Sequence, residues 1–144
     1  MSETPKPKLK LGIKQLVAEA NAEIETWSVA EALARKDDPS VLFVDLRDIR
    51  EIWREGGIPG AFQANRGMLE FWVDPESPYY KPEFGSGKTF VFFCAGGLRS
   101  ALAAQTVQRM GLAPVCHLEG GFGAWRKAGG PVETVLPPPP KDKA

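Results

Sequence analysis

The chain has 144 residues, 43% hydrophobic and 25% charged, with eighteen Lys plus Arg against eighteen Asp plus Glu and no net charge. That length suits one domain able to bury about 68–70% of its unfolded surface without staples, and the composition excludes collagen-like, mucin-like and wholly disordered chains. Charge neutrality excludes a long-range field that would gather nucleic acid or an anionic membrane, so any anion site has to be local.

The opening MSETPKPKLK has no apolar run behind its lysines, and no stretch approaches the ~18 apolar residues of a membrane span. Residues 1–9 and the Pro-rich 136–144 read as flexible tails around a single domain over 10–135. Leu9, Ile13, Leu16, Val17, Ala20 and Ile24 recur at helical spacing and predict an N-terminal helix at 10–22 packed on that domain. Ser28 and Glu31 fit a capping box that opens a second helix, ending near Asp37-Asp38-Pro39.

Three continuous apolar runs follow: Val41 to Val44, Phe90 to Phe93 and, more weakly, Val115 to Leu118. Runs without alternation suit strands covered on both faces, which predicts an α/β fold with a small central parallel sheet and helices on each side. Each run ends in a polar or glycine-rich turn: Asp45-Leu46-Arg47, Cys94-Ala95-Gly96-Gly97 and Glu119-Gly120-Gly121. Ligands in such sheets bind beyond the carboxyl ends of the strands, so these turns should share one edge.

Gly85-Ser86-Gly87-Lys88-Thr89 looks like a phosphate loop but fails the full pattern. Pro82 stands where a glycine is needed, and an aromatic strand follows where a helix is needed.

Cys94-Ala95-Gly96-Gly97-Leu98-Arg99-Ser100 combines the requirements of one chemistry. Glycines let successive N–H groups curl around the sulfur, and a helix from about Ser100 to Met110, stopped by Gly111, points its N-terminus at the same place. With Arg99 beside it, such a setting lowers a cysteine pKa from ~8.5 to ~3.5–7.5, so Cys94 is expected to be a thiolate. Cys116 has no such context and reads as a buried structural residue. Two cysteines without CxxC spacing predict a reducing, cytoplasmic setting, no disulfide framework and no metal. His117, the lone histidine, falls within the third run. It reads as a core residue with its polar atoms satisfied, which leaves cysteine-protease chemistry without its base.

The loop Cys94 to Ser100 resembles the active-site loop of rhodaneses, sulfurtransferases that carry sulfane sulfur as a cysteine persulfide. Asp45-Leu46-Arg47, Ile58-Pro59-Gly60-Ala61 and Leu118-Glu119-Gly120-Gly121-Phe122 with Trp125 are similar to rhodanese landmarks in the family's order. The resemblance covers about Glu23 to Val132. It implies a rhodanese-like fold, Cys94 as nucleophile and Ala95, Gly96, Gly97, Leu98, Arg99 and Ser100 as its cradle. It also implies transfer of sulfur from a small anion such as thiosulfate to cyanide, a thiol or a protein acceptor, without a cofactor. Many members carry histidine where this chain has Gly57. Arg66, within Asn65 to Trp72, is expected beside the site, and Asp45 is expected to orient the strand-end loops by pairing with Arg47.

Two other functions compete. Cysteine-dependent phosphatases and arsenate reductases use a loop with five residues between cysteine and arginine, whereas Cys94 and Arg99 have four between them. A tetrahedral oxyanion needs the larger ring of N–H groups and ester cleavage needs an acid, which no carboxylate here is placed to supply. A non-catalytic binding or regulatory module of the same fold is opposed by the intact cysteine.

Overall fold

The three apolar runs form the centre of the sheet. In the computed structural model, which describes residues 4–140, they are β2 (Val41–Asp45), β4 (Thr89–Phe93) and β5 (Val115–Leu118). Two short strands complete it at the edges, β1 (Glu25–Trp27) and β3 (Phe62–Gln63). The order is β1-β5-β4-β2-β3, and every pairing is parallel. Neither edge strand has enough residues to show a pattern; backbone pairing with a long neighbour defines each of them.

Successive residues point to opposite faces of a strand, and both faces are covered. Val44, Phe90, Phe92 and Val115 pack under α1 (Ile13–Glu23), α4 (Leu69–Val73) and α5 (Leu98–Met110). Phe43, Val91, Phe93, Cys116 and Leu118 pack under α2 (Val29–Ala34) and α6 (Gly121–Lys127). On that second face Trp125 is fully buried with its ring 5.6 Å from Phe43, edge to face. The remaining helix, α3 (Ile49–Glu55), opens on a capping box of Asp48 and Glu51 just beyond β2. The fold is α/β with a parallel sheet between helices, as expected.

Several boundaries differ from the expectation. The first helix begins at Ile13 rather than residue 10, after Gly12, and Leu9 is 70% exposed instead of joining the apolar stripe. The Ser28–Glu31 capping box is present, but α2 stops at Ala34 and the chain turns through residues 35–37. The third long helix starts at Leu98, because Gly97 in the left-handed region already forms its N-cap. The segment 82–85 is a single 3-10 turn leading toward β4. Of the expected tails, residues 1–3 and 141–144 lie outside the described residues.

Candidate active site

The parallel order puts the carboxyl ends of β2, β4 and β5 on one edge, and backbone hydrogen bonds stitch the three turns together. Leu46 N donates to Phe93 O at 2.9 Å, Phe122 N to Cys94 O at 2.8 Å and Gly123 N to Ala95 O at 3.1 Å. This contact requires glycine at position 121. Its φ is +62°, and a Cβ there would stand 2.8 Å from the backbone of Ala95.

Cys94 emerges from β4 fully buried, and the loop folds back over its sulfur. Gly97, at φ +99°, turns its N–H inward and donates to Cys94 Sγ at 3.2 Å. The Ser100 hydroxyl lies 3.6 Å from the same sulfur. Burial raises the cost of a thiolate here. Four donors outweigh it, namely the Ser100 N–H and hydroxyl and the N–H groups of Gly97 and Gly96, and they hold Cys94 below the ordinary thiol value. Ala95, Gly96, Leu98 and Arg99 are exposed at the rim, while Gly97 and Ser100 are buried beneath it.

Arg99 extends from the first turn of α5 to Glu51 in the first turn of α3, donating from Nη1 at 2.8 Å and from Nη2 at 3.0 Å. The pair drives the Glu51 carboxyl down to about 2. Arg66 lies on a 3-10 turn over Arg66–Met68 and donates to Glu70 at 2.8 Å. One cleft is lined by both arginines together with Arg47, Asp48, Gln63 and Asn65. Cys94 is not in its wall, but Arg99, which is, also interacts with the Cys94 sulfur.

Asp45 and Arg47 form a buried two-point ion pair. Arg47 Nε donates to Oδ1 at 3.0 Å and Nη2 donates to Oδ2 at 2.8 Å, with 1% and 4% of the two side chains exposed. Arg47 Nη2 also donates to Gly56 O at 2.8 Å, and the guanidinium sits 4.1 Å from the Phe122 ring. One cation therefore ties the turn after β2 to the end of α3 and the start of α6.

Cys116 faces the opposite core, where burial, aided by Glu25 and Glu31, pushes its thiol up to about 12. His117 corrects the sequence expectation. It is buried in β5, but its polar atoms are not all satisfied: Nδ1 lies 3.1 Å from Ser100 Oγ, and Nε2 has no hydrogen-bond partner among the described residues. Spacing hid this link, because Ser100 and His117 are seventeen positions apart and only the packing of α5 on β5 brings them together. Among the described residues no cluster of His, Cys, Asp and Glu suited to a metal occurs, and no helix is long and apolar enough to cross a membrane.

A family model described as the rhodanese-like domain matches residues 28–128. The chain belongs to the rhodanese family. A sulfurtransferase of Allochromatium vinosum is 32% identical over 110 residues, covering 76% of this chain and 92% of its own. The thiosulfate sulfurtransferase GlpE of Shewanella oneidensis is 31% identical over 101 residues, covering 70% and 91%. A solved structure from Rhodopseudomonas palustris, described as a protein of unknown function and possible tyrosine phosphatase, is 59% identical with a TM-score of 0.87, covering 91% of this chain and all of that one.

Where many rhodaneses carry histidine, Gly57 of this rhodanese forms an antiparallel bridge with Glu133, through N–H···O contacts of 2.9 and 2.8 Å. A Cβ on Gly57 would meet Val135 at 3.5 Å and Ile52 at 3.6 Å, so the chain's C-terminal segment closes over this position.

Proposed function

We propose that this rhodanese moves sulfane sulfur from a small anionic donor such as thiosulfate to cyanide or a thiol through a persulfide on Cys94. The observation that carries the reading is the convergence of the Gly96, Gly97 and Ser100 N–H groups and the Ser100 hydroxyl on a buried sulfur, donors that lower its pKa against the cost of burial. Cys94 Sγ attacks the outer sulfur of thiosulfate, the sulfur–sulfur bond breaks, and sulfite leaves with the electron pair. No proton is needed for that departure. The acceptor then attacks the terminal sulfur and leaves as thiocyanate or a new persulfide, and Cys94 returns to the thiolate. Ala95, Leu98 and Arg99 form the rim that meets the donor, and Arg66 shares a cleft with Arg99. Asp45 and Arg47 support the loops. We assign the activity to one domain over residues 10–135 in a reducing cytoplasm, where a protein thiol could also collect the sulfur.

The phosphatase reading has the description of the Rhodopseudomonas palustris structure in its favour. The carboxylates at this site speak against it. Ester hydrolysis needs a protonated acid for the leaving alkoxide. Asp48 is held low by the backbone N–H and guanidinium of Arg50, Glu51 is held at about 2 by Arg99, and Asp45 is taken up by Arg47. The deciding experiment is a thiosulfate:cyanide sulfurtransferase assay beside an aryl-phosphatase assay. Thiocyanate formation with negligible ester hydrolysis is expected, and efficient hydrolysis without thiocyanate would overturn the reading.

A further inference from the structure

His117 is the chain's only histidine, and it touches a side chain that itself touches the nucleophile. Cys94 Sγ, Ser100 Oγ and His117 Nδ1 make a buried chain with steps of 3.6 and 3.1 Å. A serine hydroxyl has one proton to donate. With Nδ1 bare, that proton goes to the imidazole and the sulfur faces a lone pair. With Nδ1 protonated, the imidazole donates to Oγ, and the hydroxyl proton goes to the sulfur, where it stabilises a thiolate.

Two observations select the second arrangement. Burial keeps the imidazole below its usual range, against an opposing push from Glu119, so a single nitrogen carries the proton at neutral pH. Nε2 is buried with no hydrogen-bond partner among the described residues. Among backbone groups an orphaned buried N–H is rarer than an under-satisfied acceptor, and the same preference puts the imidazole proton on Nδ1, which has Ser100 to receive it. The other donors around Cys94 are backbone N–H groups and the Arg99 guanidinium, which can only donate. Ser100 is the member whose direction another residue sets.

We propose that His117, as the Nδ1–H tautomer, is a positioning residue that aims the Ser100 hydroxyl at the Cys94 thiolate. The Arg99 guanidinium is the other charge that bears on the chain, through Cys94. β4 places Phe92 beside His117 and β1 places Thr26 on its other side. α1 contributes Ala20, and Ile24, the residue after the helix, packs on the same face, while Glu23 is engaged at the surface by Gln105. α5 contributes Ser100, and Arg99 next to it is held by Glu51 of α3. The catalytic consequence rests on Cys94 being the sulfur carrier proposed above, but the hydrogen-bond direction can be measured without any sulfur transfer.

Because there is one histidine, nitrogen-15 NMR of the labelled wild-type protein shows one imidazole pair, and its tautomer can be assigned directly. At a pH where Cys94 is ionised, Nδ1 is expected to be protonated and Nε2 bare. The pH profile of iodoacetamide alkylation supplies a second readout. His117→Phe removes the donor and should shift the Cys94 profile upward by about one pH unit, while His117→Asn, which keeps an N–H near the Nδ1 position, should remain close to wild type. A bare Nδ1 in the thiolate form, or an unchanged His117→Phe profile, would overturn the proposal. Failure of thiosulfate to load Cys94 would instead count against sulfur transfer and leave the hydrogen-bond direction standing.

Discussion

Glu51 holds Arg99 across the mouth of the site, with both carboxylate oxygens accepting from the guanidinium at 2.8 and 3.0 Å. The same carboxylate closes the capping box of α3 by accepting from Asp48 N at 2.9 Å. The Arg99 guanidinium is thus already paired, and under the proposed sulfur transfer a donor anion would compete with Glu51 for it.

Glu51→Gln should release Arg99, so the KM for thiosulfate falls while Cys94 still forms the persulfide; a higher KM would mean that the pair itself shapes the donor site. The side chains are 22% and 43% exposed, so solvent screening limits the pair to about 1 kcal/mol of stability. Its pH dependence has a defined sign. Because the folded-state carboxyl lies at about 2, below its unfolded value, the contribution is complete above the usual carboxylate range and disappears as pH falls toward 2. Urea melts of wild type and variant should therefore differ at pH 7 and converge in acid.

Asp45→Ala leaves Arg47 buried with Gly56 O as its remaining strong acceptor. Breaking a buried pair by removing one partner costs about 3–5 kcal/mol, so the variant should unfold at clearly lower denaturant. Its turnover per folded molecule should change little. A large rate loss in a variant of undiminished stability would move Asp45 into the chemistry.

Cys116 should be silent. With its thiol pushed to about 12 in a closed core, the native protein should take one alkyl group from iodoacetamide at neutral pH and a second only after unfolding. Cys116→Ala should keep full sulfurtransferase activity. Rapid double alkylation of the native protein would contradict the burial argument.

The long elements and the cysteine loop were legible in the sequence, and the short elements were not, for physical reasons. Val41 to Val44 and Phe90 to Phe93 announce covered strands because a strand buried on both faces needs no polar alternation. Glu25–Trp27 and Phe62–Gln63 exist through pairing with β5 and β2, which no local pattern encodes. α3, α4 and α6 span seven, five and seven residues, two turns or fewer, too few to establish a helical period. At the site, the neighbours of Cys94 along the chain could be read from glycine, arginine and helix signals. The partners across the fold could not: Glu51 reaches Arg99 over 48 positions, and His117 reaches Ser100 over seventeen.

The most direct test of sulfur transfer through Cys94 is the intact mass of the protein after incubation with thiosulfate, repeated on Cys94→Ser and Cys116→Ala. Wild type and Cys116→Ala should each gain one sulfur atom and lose it on addition of cyanide, with thiocyanate appearing in equal amount, while Cys94→Ser should gain none. Sulfur retained on Cys94→Ser, or a wild-type protein that never gains it, would contradict the account.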